Sequence, residues 1–142
     1  MPLLVGLVLA LGVAVFARRV GLDRDRAFYP TVLIVVALYY VLFAVMSGST
    51  RAVVIESIVM TGFAAAAVMG FWSSRWIVVA GLCAHGVMDG FHGLVIENTG
   101  VPAWWPAFCL AYDVGAAGCL AWLITRRPRA GVGPVSNITR VN

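Results

Sequence analysis

Lysine is missing from this sequence altogether, so its ten basic residues are all arginines, and charge of either sign is scarce. Charged residues make up 11% of the chain and apolar ones 62%, whereas a soluble domain carries about 25% charged residues. That balance excludes an ordinary soluble domain and points to a membrane protein. The net charge of +4 comes from arginine clusters that fall between apolar runs. A nucleic-acid site would line its basic residues along one face, so no nucleic-acid partner is expected and the clusters read as topology signals.

Cysteine is sparse as well. Cys83, Cys109 and Cys119 all lie inside apolar runs. An odd set at such spacings excludes a disulfide framework and a zinc-finger pattern, and small apolar filler is their simplest role. Internal repeats and low-complexity segments are absent too, and the connections between apolar runs are too short to hold a further domain.

What the sequence does have is length of apolar run. A bilayer span takes about 20 mostly apolar residues, and five such runs occur, at 2–17, 27–46, 52–72, 76–97 and 107–125. The expectation is an all-α, polytopic integral membrane protein, a five-transmembrane-helix bundle over 1–125. The arginine-containing tail at 126–142 is expected to be disordered and cytoplasmic, which leaves its Asn-Ile-Thr acceptor pattern unmodified. The first run has no basic stretch before it, and "AVFARR" is a poor cleavage site, so it reads as a helix and not as a removed signal.

With five spans, the N-terminus and the loops at 47–51 and 98–106 share one side, which holds Arg51 alone. The other side holds Arg18, Arg19, Arg24, Arg26, Arg75, Arg126, Arg127, Arg129 and Arg140. The positive-inside rule then gives N-out and C-in, in a plasma or inner membrane. Trp104 and Trp105 in the outer loop and Trp72 and Trp76 at an inner one suit interfacial belts, and Pro106 suits the first turn of the last helix.

The chemistry sits in "CAHGVMDGFHGLVIEN", residues 83–98. On a helix turning about 100° per residue, His85, Asp89 and His92 share one narrow stripe. Gly86, Gly90 and Gly93 form an adjacent small-residue face, open to close packing of another helix, whether from this chain, a second copy or a partner membrane subunit. Two other spans carry acids, Glu56 and Asp113. Counted from the outer ends at about 1.5 Å per residue, Glu56, His92, Asp113 and Asp89 lie roughly 7–12 Å deep and His85 about 18 Å. Such agreement between helices predicts one shared site lined by the third, fourth and fifth spans, with Tyr112, Ser57 and Cys109 as supporting neighbours.

An aspartate at the bilayer centre costs about 2.5–3.5 kcal/mol on insertion scales, so these groups must compensate one another or bind something. Carboxylate with imidazole suits Zn²⁺, Fe²⁺ or Mn²⁺. The expected metal ligands are His85, Asp89, His92, Asp113 and Glu56, with Glu56 and Asp113 the best candidates for a general base toward a metal-bound water. The segment "HGVMDGFH" resembles in kind the histidine/aspartate sites of intramembrane zinc hydrolases such as the alkaline ceramidases. Those proteins spread their ligands over several helices, and the resemblance implies no role for any single residue here.

Plainer roles compete. Glu56 can snorkel outward or pair with Arg51, and His85 can be a neutral core histidine bonded to a backbone carbonyl. Asp89 and Asp113 are too short to snorkel. Glu97 reads as solvated, Asp23 and Asp25 as local surface pairing, and Tyr39, Tyr40 and the phenylalanines as lipid-facing or packing residues. Three functions follow in order: a membrane-embedded metal site, a proton-coupled transporter or channel for a small solute or ion, and an accessory subunit of a membrane complex.

Overall fold

The computed structural model describes residues 1–126. The tail expected to be disordered begins at its last described residue, Arg126, and otherwise lies outside the described residues. Five long helices follow one another: α1 (Pro2–Val20), α2 (Phe28–Ser47), α3 (Thr50–Trp72), α4 (Arg75–Val95) and α5 (Trp105–Arg126). A single 3-10 turn, Leu22–Arg24, joins the first two, and no strand occurs among the described residues. All five helices are long and apolar enough to cross a membrane. Their exposed surface agrees with that, since Leu4, Val8 and Phe16 on α1 and Leu94 and Val95 on α4 face outward.

Local chemistry fixes the ends. Gly21 and Gly48 take left-handed φ of 85° and 71° and stop α1 and α2, a conformation that only glycine adopts without strain. Ser49 and Ser74 accept hydrogen bonds from the Ala52 and Trp76 amides and cap α3 and α4. The fourth helix stops at Val95, where Ile96 turns extended, so Glu97 stands exposed in the loop and not at the end of a span.

The helices are not packed in chain order. α5 lies between α1 and α4, α3 lies between α4 and α2, and α2 leans further onto both α4 and α5. α1 and α2 do not pack closely on each other among the described residues, and a crevice lies between them. Glycines set the close crossings. A Cβ on Gly6 would meet the Phe108 carbonyl oxygen, and one on Gly115 would lie 2.9 Å from Ala10. On α4, Gly86 faces the Leu110 carbonyl and the Asp113 Cβ, and Gly90 faces Leu110. Two of the three glycines on the small-residue face therefore receive α5 of the same chain, while Gly93 opens onto free space.

The interior divides along its length. Leu33, Ala67, Val78, Leu82 and Leu120 fill the half near the arginine-rich loops with aliphatic packing. The other half of the bundle holds the polar side chains, because the second half of α4 and the first half of α5 meet there with the opposite ends of α2 and α3.

Candidate functional site

Glu56, His85, Asp89, His92 and Asp113 are each no more than 2% exposed. They form two groups. In the deeper one, His85 Nδ1 and Asp113 Oδ2 are hydrogen-bonded across 2.6 Å, and Asp89 Oδ2 approaches the same nitrogen at 3.4 Å without making a hydrogen bond. The Cys109 thiol, one turn before Asp113 on α5, donates to Asp113 Oδ2 at 3.9 Å. In the shallower group, His92 Nε2 lies 2.8 Å from Glu56 Oε1, which also accepts a hydrogen bond from Asn98 Nδ2 at 2.9 Å.

Tyr40 of α2 joins the two. Its hydroxyl donates to Asp89 Oδ1 at 2.7 Å, its ring stacks on His92 with centroids 4.2 Å apart, and its backbone carbonyl accepts from Asn98 Nδ2 at 3.1 Å. Asn98 reaches this place because the α4–α5 loop lies hard against the end of α2: a side chain on Gly100 would run into the Phe43 carbonyl oxygen. Only glycine permits so close an approach. Phe63 packs edge-on to the His85 ring at 4.8 Å and closes the α3 side.

The stripe on α4 thus faces inward as its spacing implies, but one shared site becomes two adjoining groups, and α2 contributes as well as α3, α4 and α5. His85 binds a carboxylate and not a backbone carbonyl. Glu56 neither snorkels nor reaches Arg51, since His92 and Asn98 hold it. Ser57 and Tyr112 make no hydrogen bond to these groups among the described residues, whereas Cys109 does.

Four side chains gather tightly enough to share one ion. One ligand atom each from His85, Asp89, Cys109 and Asp113 lie within 4.8 Å of one another, all buried. Several polar atoms here find no hydrogen-bond partner among the described residues: His85 Nε2, Asp89 Oδ2 and Asp113 Oδ1 in the deeper group, and Glu56 Oε2 in the shallower. Buried polar groups without partners are costly, about 1–3 kcal/mol each. Such atoms, gathered in one place, could be satisfied by an ion.

No protein family, curated protein or solved structure matches the chain.

The donor set itself constrains the chemistry. One imidazole, one thiol and two carboxylates suit a borderline divalent ion that accepts nitrogen, sulfur and oxygen together, Zn²⁺ above all. His92 and Glu56 stand apart from the four and bond to each other. A cavity of about 580 Å³ fills the crevice between α1 and α2 and has Tyr39, Trp105, Phe108 and Cys109 in its wall. Of the deeper group, Cys109 alone, itself buried, is among the residues around this apolar space. A second cavity of similar size, about 580 Å³, opens beside Ser49, Arg51, Gly93 and Glu97 at the end of the bundle nearest Glu56.

Proposed function

We propose that this protein is a membrane-embedded metal-binding protein whose site is His85, Asp89, Cys109 and Asp113. The observation that carries it is the convergence of four buried ligand atoms within 4.8 Å, accompanied by unpartnered polar atoms on three of the four residues. A divalent ion there would take the place of the proton between His85 and Asp113 and of the Cys109 thiol proton, and would give the two aspartates and the thiolate a common counter-charge. Such an ion supplies Lewis acidity or an activated water when bound. The chain's own residues supply the rest. Tyr40 and Gly86 fix the positions of Asp89 and Asp113, and Glu56, held by His92 and Asn98, is the remaining carboxylate able to accept a proton near the site.

The positive-inside asymmetry orients the chain N-out and C-in in a plasma or inner membrane, with the site in the outer half of the bilayer. Gly93, open to free space beside exposed Leu94 and Val95, is the surface where a second copy or a partner helix would pack. The deciding experiment is elemental analysis of the detergent-purified protein after dialysis against zinc. Near-stoichiometric metal in the native chain and in Cys83→Ser, whose cysteine is exposed, with loss in Cys109→Ser and His85→Ala, is the expected result. Folded protein that takes up no metal sinks the reading.

A second reading draws on the bridge made by Tyr40. The polar groups run from the α4–α5 loop through Glu56 and His92 to Asp89, His85 and Asp113, the order a proton path would need. On this reading the chain moves protons or a proton-coupled ion, and Tyr40→Phe abolishes flux into pH-jumped liposomes.

A further inference from the structure

Away from the polar site, the arginine-rich ends of α1 and α5 carry an arrangement that neither metal binding nor proton transfer uses. Two guanidinium groups lie over the Trp122 ring, Arg18 at 4.9 Å and Arg126 at 5.1 Å from its centroid. These side chains, with Arg24 and Asp23, line a polar cavity of about 440 Å³. The cavity adjoins an apolar groove of about 470 Å³ running along α1 and α5 past Leu11, Val15, Gly115 and Gly118, and Arg18, Asp23, Trp122 and Leu123 border both.

The juxtaposition is that of a lipid standing in its leaflet. A guanidinium over an indole can still offer its fork of N–H donors, which matches phosphate geometry in a way an ammonium cannot. Three arginines against one aspartate leave the cavity cationic, so the complementary headgroup carries net negative charge. The groove beside it is apolar, and Gly118, where an added Cβ would meet nothing within 4 Å, leaves room for an acyl chain along the outside of the α1–α5 seam. Trp122, 43% exposed at the junction, sits where an amphipathic ring belongs, with the headgroup on one side and hydrocarbon on the other.

We propose that this groove binds one anionic phospholipid, its phosphate at Arg18, Arg24 and Arg126 and one acyl chain along α1 and α5. The site is independent of the metal reading. Its occupant would lie along the seam through which α1 packs on α5, beside the 22–24 turn.

The test is native mass spectrometry of the full chain titrated with dioleoyl phosphatidylglycerol or dioleoyl phosphatidylcholine, with inorganic phosphate as a third arm. A single phosphatidylglycerol adduct is expected to form at least tenfold more readily than the phosphatidylcholine adduct. Each of Arg18→Gln and Arg126→Gln should weaken it about fivefold. Gly118→Leu blocks the groove where a side chain meets nothing within 4 Å, and it should remove the adduct without loss of fold. Arg51→Gln, at the other end of the bundle, should leave it unchanged. Equal binding of the two lipids, adducts indifferent to Gly118→Leu, uptake of phosphate alone, or a dimer in place of the adduct would each overturn the proposal.

Discussion

The Tyr40 hydroxyl donates to Asp89 Oδ1 across 2.7 Å, and through this bond a side chain from α2 reaches the deeper polar group while its ring lies on His92 of the shallower one. Of the interactions at the site, this one is shared by both groups and made by an uncharged residue, so its removal separates positional effects from charge effects. Tyr40→Phe keeps the ring and its stacking but leaves Asp89 Oδ1 buried without a donor. The expected cost is about 1–3 kcal/mol, read as a lowered unfolding temperature in detergent. Unchanged stability in Tyr40→Phe means that water or another group satisfies Asp89.

Asp113→Asn tests the four-ligand site differently. The amide fills nearly the same space, so the chain should fold, but the substitution removes one of two carboxylates facing His85 Nδ1. Metal affinity is expected to fall by tenfold or more, at least as much as supporting residues around metal sites cost when lost. Cobalt offers a direct view of the ligands. Co²⁺-loaded native protein should show a thiolate-to-metal charge-transfer band that Cys109→Ser abolishes. A cobalt spectrum indifferent to Cys109→Ser removes the cysteine from the ligand set.

Much of this was legible in the sequence, for identifiable reasons. Helix ends are written in Gly21, Gly48, Ser49 and Ser74, and the observed helices differ from the hydropathic runs by three residues at most, as where α1 ends at Val20 and not at 17. His85, Asp89 and His92 announce an inward stripe because polar residues stand out on an apolar helix. Tyr40 was hidden for the converse reason. α2 is apolar all round, so nothing in composition separates the buried Tyr40 from its exposed neighbour Tyr39. The available signal is spacing: Leu33, Ala37, Tyr40 and Ala44 fall on one buried face at intervals of three and four. Asn98 was hidden because its role depends on Gly100 letting a loop touch α2, a tertiary contact that no local pattern encodes. The division of the five ionisable residues into two groups was likewise invisible, since equal depth fixes one coordinate and helix packing fixes the others.

The glycines of α4 give a paired prediction on packing. Gly86 faces the Leu110 carbonyl at 3.3 Å and Asp113 Cβ at 3.5 Å, whereas Gly93 meets nothing within 4 Å. Gly86→Leu must push α5 away and with it Asp113, so both stability and metal content should fall. Forcing a larger side chain into a packed crossing costs about 1–3 kcal/mol or more. Gly93→Leu should be neutral or slightly stabilising in the monomer, because leucine is the better helix former by a little under about 1 kcal/mol. Equal effects at the two positions contradict the α4–α5 crossing described here.

Orientation decides which compartment the polar site serves, and the arginines make a definite forecast. Thr99 lies in the α4–α5 loop and Ser73 in the α3–α4 turn, both exposed and at opposite ends of the bundle. With Cys83 and Cys119 replaced by serine and the buried Cys109 left in place, Thr99→Cys and Ser73→Cys each present one accessible thiol. A membrane-impermeant maleimide applied to intact cells or right-side-out vesicles should label Thr99→Cys at once and Ser73→Cys only after permeabilisation. The physical basis is that arginine-rich connections are retained on the cytoplasmic side, and the loops around Ser73 and Arg24 carry them while the Thr99 loop carries none. The opposite labelling pattern inverts the bundle. It places Glu56 and the cavity beside Arg51 on the cytoplasmic face, so any ion or proton reaching His85 from that end would come from inside the cell.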